Sequence, residues 1–93
     1  MHRLKRSPAY KAERDRLSSA ARLALWFAED TIRGNPDNPG RTWFTLRVPN
    51  FDVDLIVVEN GDLLIAFHRI AANAISLDLL IDRRSPPPWY SGD

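Results

Sequence analysis

The chain has 93 residues, no cysteine and a formal net charge of +1, and 44% of its residues are apolar while 27% are charged. This length suits one small domain, and the composition is that of a globular protein rather than a disordered chain. The lack of cysteine excludes disulfide bonds and cysteine-based zinc sites, so we expect a reducing compartment. The sequence predicts no metal and no cofactor.

The start of the chain predicts a cytoplasmic protein. Residues 1–6 are basic, as in a signal peptide, but a polar segment follows them instead of an apolar core. No stretch approaches the roughly 18 apolar residues that a membrane-spanning helix needs. We therefore expect no membrane partner.

Charge is divided unevenly along the chain. Residues 1–33 hold eight Lys/Arg against four Asp/Glu, a balance of +4, whereas residues 34–93 hold five against eight, a balance of −3. Such an asymmetry marks either a nucleic-acid or partner surface, or two basic helices with a solvated face.

The first third is predicted to hold a short strand and two helices. Residues 2–6 suit an edge strand, and Ser7-Pro8 then opens a helix over about 8–17, because proline is favoured in the first turn. A serine in the following turn can cap a second helix, 20–33. Gly34 stands at the C′ position that favours glycine.

One face of the second helix is predicted to be buried. Its apolar residues recur at a spacing of three to four, namely Ala20, Leu23, Ala24, Phe27, Ala28 and Ile32. This stripe should pack on a sheet.

The second half of the chain reads as strands. After the loop at 35–40 the apolar period falls to two, which is typical of β-structure. Four strands are predicted, with turns between them; the strands are 43–48, 51–59, 62–70 and 75–82. Asn60-Gly61 is the strongest hairpin signal, as the central pair of a type I′ turn.

The predicted fold class is therefore α+β, with a short N-terminal strand and a two-helix hairpin packed on a four-strand antiparallel meander. Residues 1–84 should form this single domain. Residues 85–93 have no strand or helix period, and Pro86-Pro87-Pro88 favours an extended conformation, so they form a proline-rich C-terminal tail.

Several segments resemble the RelE/ParE superfamily of bacterial toxins. They are Arg6-Ser7-Pro8-Ala9-Tyr10, Ile32-Arg33-Gly34-Asn35-Pro36, Leu46-Arg47-Val48-Pro49-Asn50-Phe51 and Leu64-Ile65-Ala66-Phe67-His68-Arg69-Ile70. Their order and spacing, over residues 3–84, carry the resemblance. It implies a toxin from a two-gene module that a cognate antitoxin neutralises. One branch of the family cleaves messenger RNA in the ribosome, and another inhibits DNA gyrase.

The resemblance also implies a set of site residues. RNA cleavage without a metal needs a proton acceptor, cations for the phosphate and an acid for the leaving oxygen. Arg47, His68, Arg83 and Tyr90 are the candidate catalytic residues. Histidine titrates near neutral pH, which suits proton transfer. Arg41, Arg69 and Arg84 are the candidate nucleic-acid-binding residues.

Other interpretations of these residues remain open. His68 can be a structural histidine and Arg47 a solvated arginine, while Arg69 should either leave the core at its strand end or pair with an acid. Trp89 and Tyr90 can stack on a base or anchor the tail. The net charge of −3 in the sheet half departs from the basic character of the nuclease branch, so a gyrase inhibitor or a non-catalytic binding module is the alternative function.

An additional apolar contact is predicted on the second helix. Leu25 and Trp26 lie off its main stripe, and an apolar residue on two sides of a helix indicates two contacts. The first helix, an antitoxin or a second copy of the chain could make the second contact, so a homodimer is also open.

Overall fold

A computed structural model describes residues 2–40, 42–47, 49 and 52–88 of the chain. No helix in these ranges is long and apolar enough to cross a membrane. Seven elements follow one another, namely β1 (Arg3–Arg6), α1 (Pro8–Asp15), α2 (Ser19–Gly34), β2 (Thr42–Leu46), β3 (Leu55–Asn60), β4 (Leu63–Ala71) and β5 (Ala74–Asp82).

The strands form one sheet in the order β1-β5-β4-β3-β2. The strands β2 to β5 pair antiparallel with their sequence neighbours, whereas β1 pairs parallel with β5. The α+β class is confirmed, but the sheet is five-stranded and mixed, so the prediction of a four-strand antiparallel sheet is corrected. The reason is that β1 covers the outer edge of β5, whose backbone groups would otherwise lack partners.

Both helices lie on one side of the sheet. A core cluster joins Tyr10 of α1 and Leu25 and Ile32 of α2 to Ile65 and Phe67 of β4, all at most 2% exposed. A second buried cluster contains no helical residue and lies on the opposite side of the strands: Leu55, Val57, Leu64, Ala66 and Ile81. We call that side of the sheet the distal face.

The buried stripe of α2 differs from the predicted one. Leu23 and Phe27 are 58% and 56% exposed, whereas Leu25 is 2% exposed. Ala28 and Ile32 of the predicted stripe are buried, and Ala24 is half-buried against the core. The other buried residues of α2 are Ala21, Leu25 and Glu29. Because α2 is apolar on several sides, two stripes fit the helical period, and only contact with the sheet selects one of them.

Serine caps open both helices, and the cap of the second helix was predicted. The backbone N–H of Tyr10 donates to Ser7 Oγ at 3.0 Å, and that of Ala21 donates to Ser18 Oγ at 3.2 Å. The exit of α2 differs from the prediction, because Gly34 is still helical and Asn35 is the C-cap residue.

The central hairpin turns one residue later than predicted. Asn60 pairs with Leu63, so Gly61 and Asp62 are the central residues of the turn. Gly61 has φ of 60°, and no non-glycine residue among those described has a positive φ. A positive φ at the first position alone is typical of a type II′ turn rather than type I′.

A buried polar cluster joins β1, α1 and α2. Glu29 is 6% exposed, and its carboxylate accepts from Arg6 Nη2 at 2.6 Å and from the Tyr10 hydroxyl at 2.6 Å. The hydrogen bond that Arg6 donates to Glu29 raises the pKa of the Arg6 guanidinium. A buried charge is tolerated when it is paired and hydrogen-bonded, so this cluster fixes the three elements at one point.

We expect Tyr10 to make the fold sensitive to alkali. Burial, and then the nearby Glu29 carboxylate, raises the pKa of the Tyr10 hydroxyl above its ordinary value. Above a pH of about 10 an unfolded tyrosine ionises while the folded one stays protonated, so stability should fall as pH rises through that value. Urea unfolding of the wild type and of Tyr10→Phe at pH 7 to 11 tests this. The slope of the free energy of unfolding against pH should be smaller in the variant. An identical slope in both proteins would contradict it.

Candidate functional site

His68 and Asp78 form an ion-pair geometry on the distal face. His68 follows Phe67, which lies in the helix-side core, so its side chain stands on the side opposite the helices. Its Nδ1 lies 2.7 Å from a carboxylate oxygen of Asp78, and the side chains are 22% and 7% exposed. The other carboxylate oxygen accepts from Ser76 Oγ at 2.7 Å. Asp78 therefore fixes the orientation of the imidazole ring through Nδ1 and leaves Nε2 to act on a ligand.

A β-bulge places Asp78 beside His68. Ala66 pairs with Leu79 while the next residue, Phe67, pairs with Leu77, so Asp78 is the additional residue on β5. Bulges re-aim a side chain and occur often at functional sites. The hydroxyl of Ser7 donates to the Asp78 carbonyl at 2.8 Å, which ties the bulge to the start of α1.

Two cations of β1 lie on the same face. Leu4 packs on the helix-side core and Arg6 binds Glu29 of α2, so the alternate residues, Arg3 and Lys5, face the distal side. Both are exposed. Their charges lie on the face that carries His68.

The register places Lys5 in one row with the histidine. Lys5 pairs with Ser76, and Ser76 pairs with His68, so two strand spacings, roughly 10 Å, separate the backbones of Lys5 and His68. A shallow cleft of about 250 Å³ adjoins the row, lined by Arg3, Leu4, Lys5, Ile70 and Ala74. An anionic ligand lying over β5 can therefore meet an ammonium group and an oriented imidazole together.

Arg69 and Arg47, two of the sequence-predicted residues, lie in ion pairs. Arg69 directly follows His68 but has the phase of Phe67, on the helix side of the sheet. Arg69 Nη2 is 3.1 Å from Asp37 in the loop after α2, which confirms that it pairs with an acid. Arg47 Nε is 2.8 Å from Asp54, and both side chains are at least half exposed. Arg47 follows β2, at the far edge of the sheet from β1.

Arg83 and Arg84 lie at the opposite end of the strands. Leu63 pairs with Asp82, so Arg83 stands about six residues, or roughly 20 Å, along the strands from His68. Arg83 is 3.4 Å from Glu59, and Arg84 is 3.4 Å from Asp62 and from Asp82. The structure thus brings neither Arg83 nor Arg84 to His68.

Arg41 and Tyr90, the remaining predicted site residues, lie outside the described residues. Of the predicted tail, 85–88 are described, and Pro87 among them is buried.

Sequence reasoning did not select Lys5, Ser76 or Asp78. The alternation of β1 predicts that Lys5 points away from Leu4, but it does not reveal that β1 lies beside β5. Asp78 and Ser76 are two residues apart, so the predicted strand places them on the same side. This spacing was the one feature of the sequence that pointed to their contact.

Comparisons with known proteins gave no match. No protein-family model matches the chain, and no curated protein and no solved structure is significantly similar to it. Within the described ranges, no group of three or more His, Asp or Glu side chains is placed to hold a metal ion.

Proposed function

We propose that the chain is the toxin of a bacterial type II toxin–antitoxin module and resembles the RelE-like enzymes that cleave messenger RNA. The observation that carries this proposal is the row of Lys5, Ser76 and His68 on the distal face, with Asp78 behind the imidazole. The chain order of one strand, two helices and an antiparallel run of strands also supports it.

His68 is the proton-transfer group in this proposal. With the Nδ1 proton held by Asp78, the Nε2 lone pair takes the proton of a ribose 2′-hydroxyl. The 2′-oxygen then attacks phosphorus, and the bond to the 5′-oxygen breaks. The products are a 2′,3′-cyclic phosphate and a 5′-hydroxyl, whose proton comes from an acid in the site.

Lys5 and Arg3 stabilise the charge that grows on the phosphate. Both are exposed on the distal face, and Lys5 is in register with Ser76. Electrostatic stabilisation of this kind is often the largest contribution to catalysis. An ammonium group can also give the proton that the 5′-oxygen requires.

The charge distribution favours a second candidate function. Four of the predicted arginines lie within 4.0 Å of a carboxylate, namely Arg47, Arg69, Arg83 and Arg84. Arginines that are already paired attract a polyanion weakly. A ParE-like gyrase inhibitor, or a non-catalytic binding module, is therefore the alternative, and in each case a cognate antitoxin would stabilise the folded chain by binding it.

Induction of the chain in a bacterial host tests the proposal. We expect growth arrest together with cuts in messenger RNA. Lys5→Ala should reduce the cleavage rate on the order of 10²-fold, as loss of a charge-stabilising donor does elsewhere. Lys11 is the only other lysine and lies exposed on α1, so Lys11→Ala is the matched control and should cleave like the wild type.

The other outcomes would assign a different function to the chain. Growth arrest with intact transcripts and accumulating DNA breaks would indicate a gyrase inhibitor. Absence of arrest, with the chain folded by circular dichroism, would leave a binding module.

A further inference from the structure

Three large apolar side chains of α2 are exposed. Leu23, Trp26 and Phe27 are 58%, 59% and 56% exposed, and their spacing places them along one side of the helix. The rings of Trp26 and Phe27 meet edge to face, with centroids 5.0 Å apart, so the surface has a defined shape. We call these three residues the α2 patch. The first helix, one of the predicted occupants, leaves it uncovered.

Opposite charges flank the α2 patch along the helix. Arg22 precedes it and lines a cleft of about 200 Å³ that Arg6 and Arg14 also line. Asp30 follows the patch and is exposed. Eight residues of helix, or about 12 Å, separate Arg22 from Asp30. The face is therefore basic at one end, apolar in the middle and acidic at the other end.

We propose that a second copy of this chain docks on the α2 patch, with the two α2 helices antiparallel about a two-fold axis near Trp26. In that arrangement position 22 of each helix is level with position 30 of the other. Each Arg22 then meets an Asp30, and the two apolar patches cover each other, as an isologous interface requires. An acidic partner would satisfy Arg22 but be repelled by Asp30, whereas a second copy satisfies both.

The dimer is expected to be reversible. Three such side chains expose on the order of 400 Å², which is the size of patch that is often functional on a monomer. The surface area that two patches and their rims would bury is at the lower end of the range for specific interfaces, so the association is weak. This inference concerns α2 alone and does not depend on the chemistry of the distal face.

Analytical ultracentrifugation of the full chain, from about 1 µM to about 1 mM, measures the association. We expect a concentration-dependent monomer–dimer equilibrium. Trp26→Ser removes the central side chain of the patch without touching the buried stripe, and it should weaken association at least about tenfold. A monomer over the whole range would overturn the proposal and leave the patch to another occupant, such as a segment of an antitoxin.

Charge reversal tests the antiparallel geometry. Arg22→Asp alone or Asp30→Arg alone places like charges level with each other, so each should weaken the dimer about tenfold. The double variant restores opposite charges and should return the dissociation constant to near the wild-type value. Lys11→Asp makes the same change in net charge as Arg22→Asp, but outside the patch, and should have no effect. A double variant as weak as the single ones would contradict the antiparallel arrangement.

Discussion

His68→Gln is expected to lower RNA cleavage by on the order of 10² to 10⁴, because the amide cannot accept the 2′-hydroxyl proton. Loss of a proton-transfer group should also alter the pH dependence of cleavage. The rate at which the purified protein cleaves messenger RNA bound in ribosomes, measured between pH 5 and pH 9, gives both quantities. The growth arrest of induced cells should be lost in parallel.

Variants of the carboxylate distinguish a positioning role from a structural one. Asp78→Asn offers an N–H where a carboxylate accepts, so it should favour the wrong tautomer of His68 and lower the rate with little change in substrate affinity. Ser76→Ala leaves the pair at 2.7 Å in place and removes only the bond to the other oxygen, so its effect should be milder. Circular dichroism must show that each variant is folded. Wild-type cleavage by folded His68→Gln would exclude the proposed proton transfer.

Glu29→Gln is expected to lower the free energy of unfolding more than the other substitutions proposed for this protein. The change removes the charge that holds Arg6 and leaves one acceptor oxygen for Arg6 and the Tyr10 hydroxyl, which now share two. Both groups lie at the junction of β1, α1 and α2. Breaking a buried ion pair costs about 3–5 kcal/mol, and the 25% exposure of the Arg6 side chain reduces this to about 2–4 kcal/mol. For a domain of this size the melting temperature should fall by roughly 10–20 °C.

A second glutamate provides the control for this change. Glu13 pairs with Arg16 at 2.9 Å on the surface of α1, and surface pairs contribute at most about 1 kcal/mol. Thermal and urea unfolding of Glu13→Gln and Glu29→Gln should therefore differ clearly. Equal losses in the two variants would show that the buried cluster adds no more than a surface pair.

Local patterns in the sequence were sufficient to locate the helices and strands but not all of their ends, since α2 includes Gly34 and β3 begins at Leu55 instead of at 51. The period of 3.6 located α2, the period of two located the strands, and a serine, Ser18, caps the second helix as predicted. These features depend on neighbours within about four residues, because a helical turn, a cap and a hairpin are closed by local hydrogen bonds. The turn at Gly61 was displaced by one residue because Asn-Gly fits more than one pairing register.

The tertiary structure alone decided which residues meet. The sequence contained two apolar stripes on α2, and packing against the sheet buried Leu25 and left Phe27 exposed. Parallel pairing of β1 with β5 brought Lys5 beside Ser76, and the bulge at Asp78 turned a carboxylate toward His68. Periodicity tells which side of its own strand a residue occupies, but the neighbouring strand is chosen by burial and backbone pairing over the whole chain. For this reason the histidine was predicted from the sequence, whereas its carboxylate and the nearby lysine were found only in the fold.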